Sequence, residues 1–129
     1  MKGLVRSMTI RHIALLASQR DRTIEFYRTL GFEVGSSHVR PERDDEIIFM
    51  TQGRMTLELF ISSGNPSRIS NPEAYGLRHL AFSVGNVAKT HERLSRAGYL
   101  PEAIRRDTFT NEEMFFIKDP DGTPIEIRE

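Results

Sequence analysis

The stretch Arg11-His12-Ile13-Ala14 returns 67 positions later as Arg78-His79-Leu80-Ala81. A second motif is repeated near the end of each half, where Leu57-Glu58-Leu59 is matched by Ile125-Glu126-Ile127 at an offset of 68. An offset that holds across widely spaced motifs indicates an internal duplication. The duplicated polar residues are one His and one Glu in each half, and each stands in an apolar run typical of a strand.

Each half has the pattern of a strand, a helix and three further strands. In the first half we predict strands at 9–17, 32–40, 46–51 and 55–61, and a helix that is capped by Asp21 and ends at Gly31. In the second half we predict strands at 77–84, 102–106, 112–118 and 124–128, and a helix at 87–97. These patterns predict one α+β domain over 1–129, made of two βαβββ modules at about 8–62 and 76–129. The helices are expected outside curved antiparallel sheets that surround a cleft.

The bulk composition is that of an ordinary globular chain. Of 129 residues, 38% are hydrophobic and 28% are charged, and 18 basic residues balance 18 acidic ones, so no overall field favours nucleic acid or an anionic membrane. The chain has no cysteine, which excludes disulfides, thiolate metal sites and cysteine nucleophiles. Its start lacks the apolar core of a signal peptide, and no run approaches the roughly 20 apolar residues of a membrane span. We expect a cytoplasmic protein with a small-molecule substrate and no nucleic-acid or membrane partner.

The repeated His and Glu residues form a candidate metal centre. Strand period places His12 and His79 away from the apolar face that a helix would cover, and Glu58 and Glu126 each occupy one face of an apolar strand. If the modules face each other, two imidazoles and two carboxylates meet. Such a set suits one divalent ion per site, such as nickel, zinc, cobalt, manganese or iron. The alternative is that each of the four is a core polar residue with a local partner.

Several motifs carry a resemblance to a known family; they are Arg11-His12-Ile13-Ala14, Leu30-Gly31-Phe32, Glu58-Leu59-Phe60, Gly76 to Phe82, and Phe116 to Gly122 followed by Pro124-Ile125-Glu126. With them the chain resembles, over essentially its whole length, the glyoxalase, bleomycin-resistance and extradiol-dioxygenase superfamily, also called vicinal oxygen chelate proteins. The resemblance is nearest to small bacterial glyoxalase I-like proteins. It implies a glyoxalase-like fold with metal ligands at His12, Glu58, His79 and Glu126.

The chain also departs from the family patterns. Glutathione-dependent enzymes of this family carry Arg at the position of Leu16 and Asn at the position of Ser62, where they bind the glutathione carboxylates. The resemblance therefore implies that this chain keeps the metal ligands and lacks both glutathione contacts. Methylmalonyl-CoA epimerases usually have Gln where this chain has Glu58. Extradiol dioxygenases use two His and one Glu, which would leave Glu58 superfluous.

The ligand set and the resemblance together predict a metal-dependent lyase or isomerase of the glyoxalase I type, similar to lactoylglutathione lyase but with a different substrate. A divalent ion chelated by two adjacent substrate oxygens acidifies the neighbouring C–H bond and stabilises the enediolate that forms. Glu126 or Glu58 would take and return the proton. Two alternatives stay open: a non-enzymatic drug-binding or resistance protein of the same fold, and an iron-dependent ring-cleaving dioxygenase.

A homodimer is expected, because one module cannot close its concave sheet alone. In glyoxalase I enzymes the modules pair across chains, which would bring His12 and Glu58 of one subunit to His79 and Glu126 of the other. Related proteins close the site within one chain, and the linker 62–76 is long enough for either arrangement.

Other residues are candidates for substrate contact. Arg40 could anchor an anion, as could Arg43 in the same charged loop. Phe49, Phe60 and Phe116 could wall the pocket, although aromatic residues in strands are more often plain core. His38 and His91 are predicted to have surface and packing roles.

Overall fold

The computed structural model describes residues 3–129. Its elements in chain order are β1 (Ile13–Ala17), α1 (Arg20–Thr29), β2 (Glu33–Arg40), a short 3-10 helix (Pro41–Arg43), β3 (Asp45–Gln52), β4 (Met55–Ile61), β5 (Leu80–Ser83), α2 (Val87–Arg96), β6 (Arg105–Arg106), β7 (Glu113–Lys118) and β8 (Pro124–Arg128). Each half therefore has the predicted order of a strand, a helix and three strands. Within this described part, no helix has the length and apolar character needed to cross a bilayer.

The strands form two four-stranded sheets, one in each half, in the orders β1-β4-β3-β2 and β5-β8-β7-β6. The predicted βαβββ modules are confirmed, but both sheets are mixed and not antiparallel as expected. β1 pairs with β4, and β5 with β8, in parallel, whereas the other neighbours are antiparallel. The crossover through the helix returns the chain in the direction of the first strand, and the two hairpins that follow reverse it twice. The fourth strand consequently runs beside the first in the same direction.

The helices end as the sequence predicts. Gly31 and Gly98 adopt φ angles of 100° and 92°, which glycine reaches at little steric cost. The backbone N–H of Phe32 donates to the carbonyl of Tyr27 at 2.9 Å, and Tyr99 makes the equivalent bond at the end of α2 at 3.1 Å. This is the six-to-one bond of a Schellman motif, so both modules stop their helix by the same device.

Other element boundaries differ from the prediction. The N-cap of α1 is Gln19, and Asp21 lies in the first turn. There its negative charge interacts favourably with the positive end of the helix dipole. β6 is only two residues long, and the backbone N–H of Glu102 makes a single bond to the carbonyl of Phe116 at 3.0 Å in place of a continuous ladder.

A single core joins the two modules. The ring of Phe26 in α1 lies 5.2 Å from that of Tyr99, and the ring of Phe32 lies 5.9 Å from that of Phe82. Buried residues of both halves belong to one hydrophobic cluster. The core covers the helix-facing side of each sheet, and the other side, here called the open face, carries the repeated polar residues.

Candidate metal centre

The parallel pairing of the first and fourth strands positions the His and Glu of each module. Ala14 of β1 pairs with Glu58 of β4, and the same register recurs in the second half, where Ala81 pairs with Glu126. Each His lies just before its strand, two residues ahead of that Ala, so it points to the same open face. The sequence predicted these His residues inside the strands, and the structure places them at the strand entrance.

The two His–Glu pairs differ in distance. His12 Nε2 lies 2.9 Å from Glu58 Oε2, whereas His79 Nε2 lies 3.8 Å from Glu126 Oε2. The Glu side chains are 14% and 12% exposed, and the His side chains are 38% and 25% exposed. Each carboxylate is therefore shielded by the sheet, while its imidazole partner opens to solvent. A shielded carboxylate is costly without a partner, and the imidazole offsets part of that cost.

The two pairs do not combine within one chain. Among residues 3–129, no group of three or more His, Cys, Asp or Glu side chains is placed to hold a metal ion. A single chain therefore presents two half-sites, His12–Glu58 and His79–Glu126, and does not by itself bring together the four predicted ligands. The physical reason is that the modules share a core along their helices, which leaves their open faces unpaired within the chain.

Two arginines contact the second half-site. Arg78 Nη1 lies 3.1 Å from His79 Nδ1, and because a guanidinium only donates, Nδ1 must accept. The proton of a neutral His79 is then on Nε2, which faces Glu126. Arg128 Nη1 lies 3.7 Å from Glu126 Oε1 and 3.3 Å from Asp107 Oδ2, and Arg128 Nη2 lies 3.1 Å from Glu112 Oε1. The sequence reasoning missed both arginines, although strand period puts Arg128 on the face of Glu126.

The donor chemistry of the half-sites fits a divalent ion. Each offers one imidazole nitrogen and one carboxylate oxygen on an open face, the mixture that borderline divalent metals favour. Binding through Nε2 would require the other neutral tautomer of His79, with the proton on Nδ1, so Nδ1 could no longer accept from Arg78. The Arg78 side chain is 60% exposed, and its Nε is paired with Glu73 Oε2 at 2.8 Å, so this ion pair limits how far Arg78 can move from Nδ1.

The predicted aromatic residues lie beside the half-sites. Phe49 pairs with Glu58 across β3 and β4, and Phe116 pairs with Glu126 across β7 and β8. Directly opposed residues share a face, so each Glu lies between an Ala and a Phe on the open side. Phe60 follows two residues after Glu58 and shares that face. All three rings are half-buried on the open face.

Arg40 is on the open face but is already engaged. Its Nε and Nη2 donate to the two carboxylate oxygens of Asp45 at 2.8 and 2.6 Å. Its guanidinium carbon lies 5.4 Å from the centre of the Phe60 ring. The Arg40 hydrogen bonds hold the pKa of Asp45 below its usual range. Arg40 is thus a structural pair with Asp45, and Arg43 lies in the exposed 3-10 helix beside it.

The two remaining His residues lie apart from the half-sites. The His91 ring packs against Phe115 with centroids 4.9 Å apart, and its Nε2 lies 2.9 Å from the carbonyl oxygen of Glu102. The His38 ring lies 6.3 Å from that of Phe49 on β3. The predicted packing role of His91 agrees with these contacts.

Known proteins share this sequence and fold. The profile of the Glyoxalase/Bleomycin resistance protein/Dioxygenase superfamily matches residues 9–127. The crystal structure of a glyoxalase family protein from Enterococcus faecalis is similar, with a TM-score of 0.89, 43% identity, and coverage of 94% of this chain and 97% of that one. YwkD, an uncharacterized protein of Bacillus subtilis (strain 168), is 38% identical over 94% of this chain and 96% of its own length.

A more distant relative has a named activity. The ethylmalonyl-CoA/methylmalonyl-CoA epimerase of Cereibacter sphaeroides is 30% identical over 69% of this chain and 70% of its own length. The superfamily profile covers both modules and both half-sites, and the chain therefore belongs to the glyoxalase/bleomycin resistance protein/dioxygenase superfamily.

Proposed function

We propose that the protein is a metal-dependent lyase or isomerase of the glyoxalase I type, acting on a small substrate with two adjacent oxygens. The observation that carries the proposal is the repeated register: Ala14 opposes Glu58 as Ala81 opposes Glu126, with a His two residues before each Ala. The duplication explains the shared register, but in each copy a His and a Glu interrupt an otherwise apolar run, where a polar residue is costly. The duplicated arrangement is expected when both copies serve one site.

The proposed ligands are His12, Glu58, His79 and Glu126. A divalent ion held by them, such as nickel, zinc, cobalt, manganese or iron, would supply Lewis acidity to the two substrate oxygens. The Glu58 and Glu126 carboxylates stand at the edge of the site, where one of them can take a proton from the neighbouring carbon and return it. Phe49 and Phe116, opposite these carboxylates, would limit the access of water to the reacting carbon.

We propose further that the working unit is a homodimer with sites across chains. Each half-site has only two donors, so a second copy must complete it, with His12–Glu58 of one chain facing His79–Glu126 of its partner. Exposed apolar residues near the half-sites support this arrangement: Ile10, Leu16 and Leu77 are 81%, 60% and 83% exposed in the single chain. A second copy on the open faces would cover them, which favours association.

An epimerase that acts on an acyl thioester is a second candidate. The identity to the Cereibacter sphaeroides epimerase favours it, and the removal and return of a proton beside a carbonyl is the same elementary chemistry. Glu58 counts against it, because the resemblance implies Gln at that position. A non-enzymatic binding protein is less well supported, since such proteins have no need of two matched His–Glu pairs.

Metal analysis of the purified protein tests the proposal. We expect one divalent ion per site in the wild type after dialysis, and loss of tight binding in the double variant His12→Ala, His79→Ala, because the remaining carboxylates leave the coordination open. His38→Ala is the matched control, since His38 lies outside both half-sites, and it should keep its metal. Stoichiometric metal in the double variant would overturn the assignment. A proton-exchange and isomerase screen with the loaded protein then separates lyase from epimerase.

A further inference from the structure

A cavity lies beside the second half-site. Its volume is about 780 Å³, and it is formed by the linker between the modules together with the ends of β7 and β8. Its charged lining consists of four cationic side chains and two carboxylates, namely Arg68, Arg78, Arg105 and Lys118 with Glu73 and Glu102. None of the four proposed metal ligands lines this cavity.

The lining carries more positive than negative charge. Glu73 accepts from Arg78 at 2.8 Å, and Glu102 from Arg105 at 3.2 Å, so both carboxylates are already neutralised. Glu102 is further committed to the backbone N–H of Phe116, at 3.0 Å. Arg68 donates only to backbone carbonyls, and no carboxylate within residues 3–129 forms an ion pair with Lys118. Two cations are therefore left without a carboxylate, which creates a local field that attracts anions.

The cavity shares a wall with the His79–Glu126 half-site. The Phe116 ring lies 5.1 Å from that of His79, and the Arg105 guanidinium carbon lies 5.8 Å from the same Phe116 ring on the cavity side. Arg78 lines the cavity and also contacts His79 Nδ1 at 3.1 Å. A ligand in the cavity is thus one side chain away from the half-site.

We propose that this cavity binds an anionic group of the substrate, a carboxylate or a phosphate, while the chelating end of the same molecule reaches the metal centre. The proposal rests on the proposed function and specifies its substrate class. Guanidinium forks and an ammonium suit both kinds of anion. An anion in the cavity would also accept a hydrogen bond from Arg78 in place of His79. The Nδ1 atom of His79 would then lose its contact with Arg78. The cavity would then bind the substrate anion in place of the two glutathione contacts that are absent at Leu16 and Ser62.

Calorimetry on the full chain at low ionic strength tests the cavity, with malonate, inorganic phosphate and pyrophosphate as probes. We expect at least one of them to bind, and the choice between malonate and the phosphates identifies the anion. Lys118→Gln and Arg68→Gln, which remove the two cations without a carboxylate partner, should each weaken binding about fivefold, the effect of one exposed ion pair. Lys89→Gln, on the exposed side of α2, removes the same charge away from the cavity and should leave the affinity unchanged.

Each outcome decides between the cavity and the metal centre. Absence of binding for all three probes, or equal weakening by Lys89→Gln, would overturn the cavity proposal, the latter because it would show general surface charge only. Because the titration can be run after metal removal, anion binding by a protein that fails to take up metal would leave the cavity standing and refute the metal centre. Metal uptake without anion binding would support the metal centre and refute the cavity proposal.

Discussion

The Tyr27 hydroxyl donates a hydrogen bond of 2.9 Å to Asp119 Oδ2, across 92 positions of sequence. Tyr27 lies in α1 of the first module, and Asp119 lies in the turn before β8 of the second. Both are buried. The other carboxylate oxygen accepts from the backbone N–H groups of Asp121 and Thr123 at 3.0 and 2.9 Å. A hydrogen-bonded carboxylate thus joins the two modules inside an otherwise apolar core.

Removal of the Tyr27 hydroxyl should destabilise the fold. Tyr27→Phe leaves Asp119 with a buried oxygen that has lost its partner, so we expect a loss of about 1–3 kcal/mol in the free energy of unfolding. Urea unfolding measures the change. Tyr75 is fully exposed, and Tyr75→Phe is the matched control that should unfold like the wild type. Identical midpoints for both variants would mean that the bond contributes nothing.

Asp119 should also make stability depend on pH. Burial raises the pKa of the Asp119 carboxyl despite the hydrogen bonds it accepts, so the folded protein holds this proton more tightly than the unfolded chain, whose Asp pKa is about 3.9. As pH rises from about 3.9 through the raised value, this group lowers the free energy of unfolding.

Asp119→Asn has no proton to lose, so its stability relative to the wild type should improve as pH rises across that window. Urea unfolding at a series of pH values above and below about 3.9 measures the difference. The exposed Asp44 provides the control Asp44→Asn, which should follow the wild-type profile. Parallel profiles for Asp119→Asn and the wild type would contradict the expected shift.

Mixed subunits should distinguish sites across chains from sites within one chain. Neither His12→Ala nor Glu126→Ala should bind metal tightly alone. In a heterodimer of the two, cross-chain sites leave one intact site, made of His12–Glu58 from the second variant and His79–Glu126 from the first. After random exchange, roughly a quarter of the wild-type metal content should return. No recovery in verified heterodimers would show that each chain closes its own site.

Turnover of the methylglyoxal–glutathione hemithioacetal should be poor even with metal bound. Leu16 is 60% exposed in β1 and, with Ser62, cannot form the two charge-assisted contacts that the resemblance implies for glutathione. Each such contact is worth about 1.5–3 kcal/mol, and loss of both lowers the affinity on the order of a hundredfold or more. Steady-state assays of the wild type and of Leu16→Arg, Ser62→Asn measure this effect. A high rate from the wild type would refute the expectation.

Local pattern accounts for much of what could be predicted. β4 was predicted at 55–61, where the structure has it, and the apolar residues Leu57 and Leu59 are buried with Glu58 between them on the open face. Strand alternation is a property of neighbouring residues, so it survives into the structure. Gly31 and Gly98 mark the helix ends, which is also a local property, because the position after each helix has a positive φ that glycine adopts at little steric cost.

The sequence by itself determined that the chain is a duplication, that one His and one Glu recur in each half, and that they lie away from the helix-facing side of their strands. Only the tertiary structure decided that β1 and β4 run in parallel, that Arg78 and Arg128 reach the second half-site, and that the half-sites stay apart in one chain. These features depend on contacts between residues far apart in sequence. Their geometry comes from how two modules bury a common core around Phe26 and Tyr99, which no periodicity within a single element encodes.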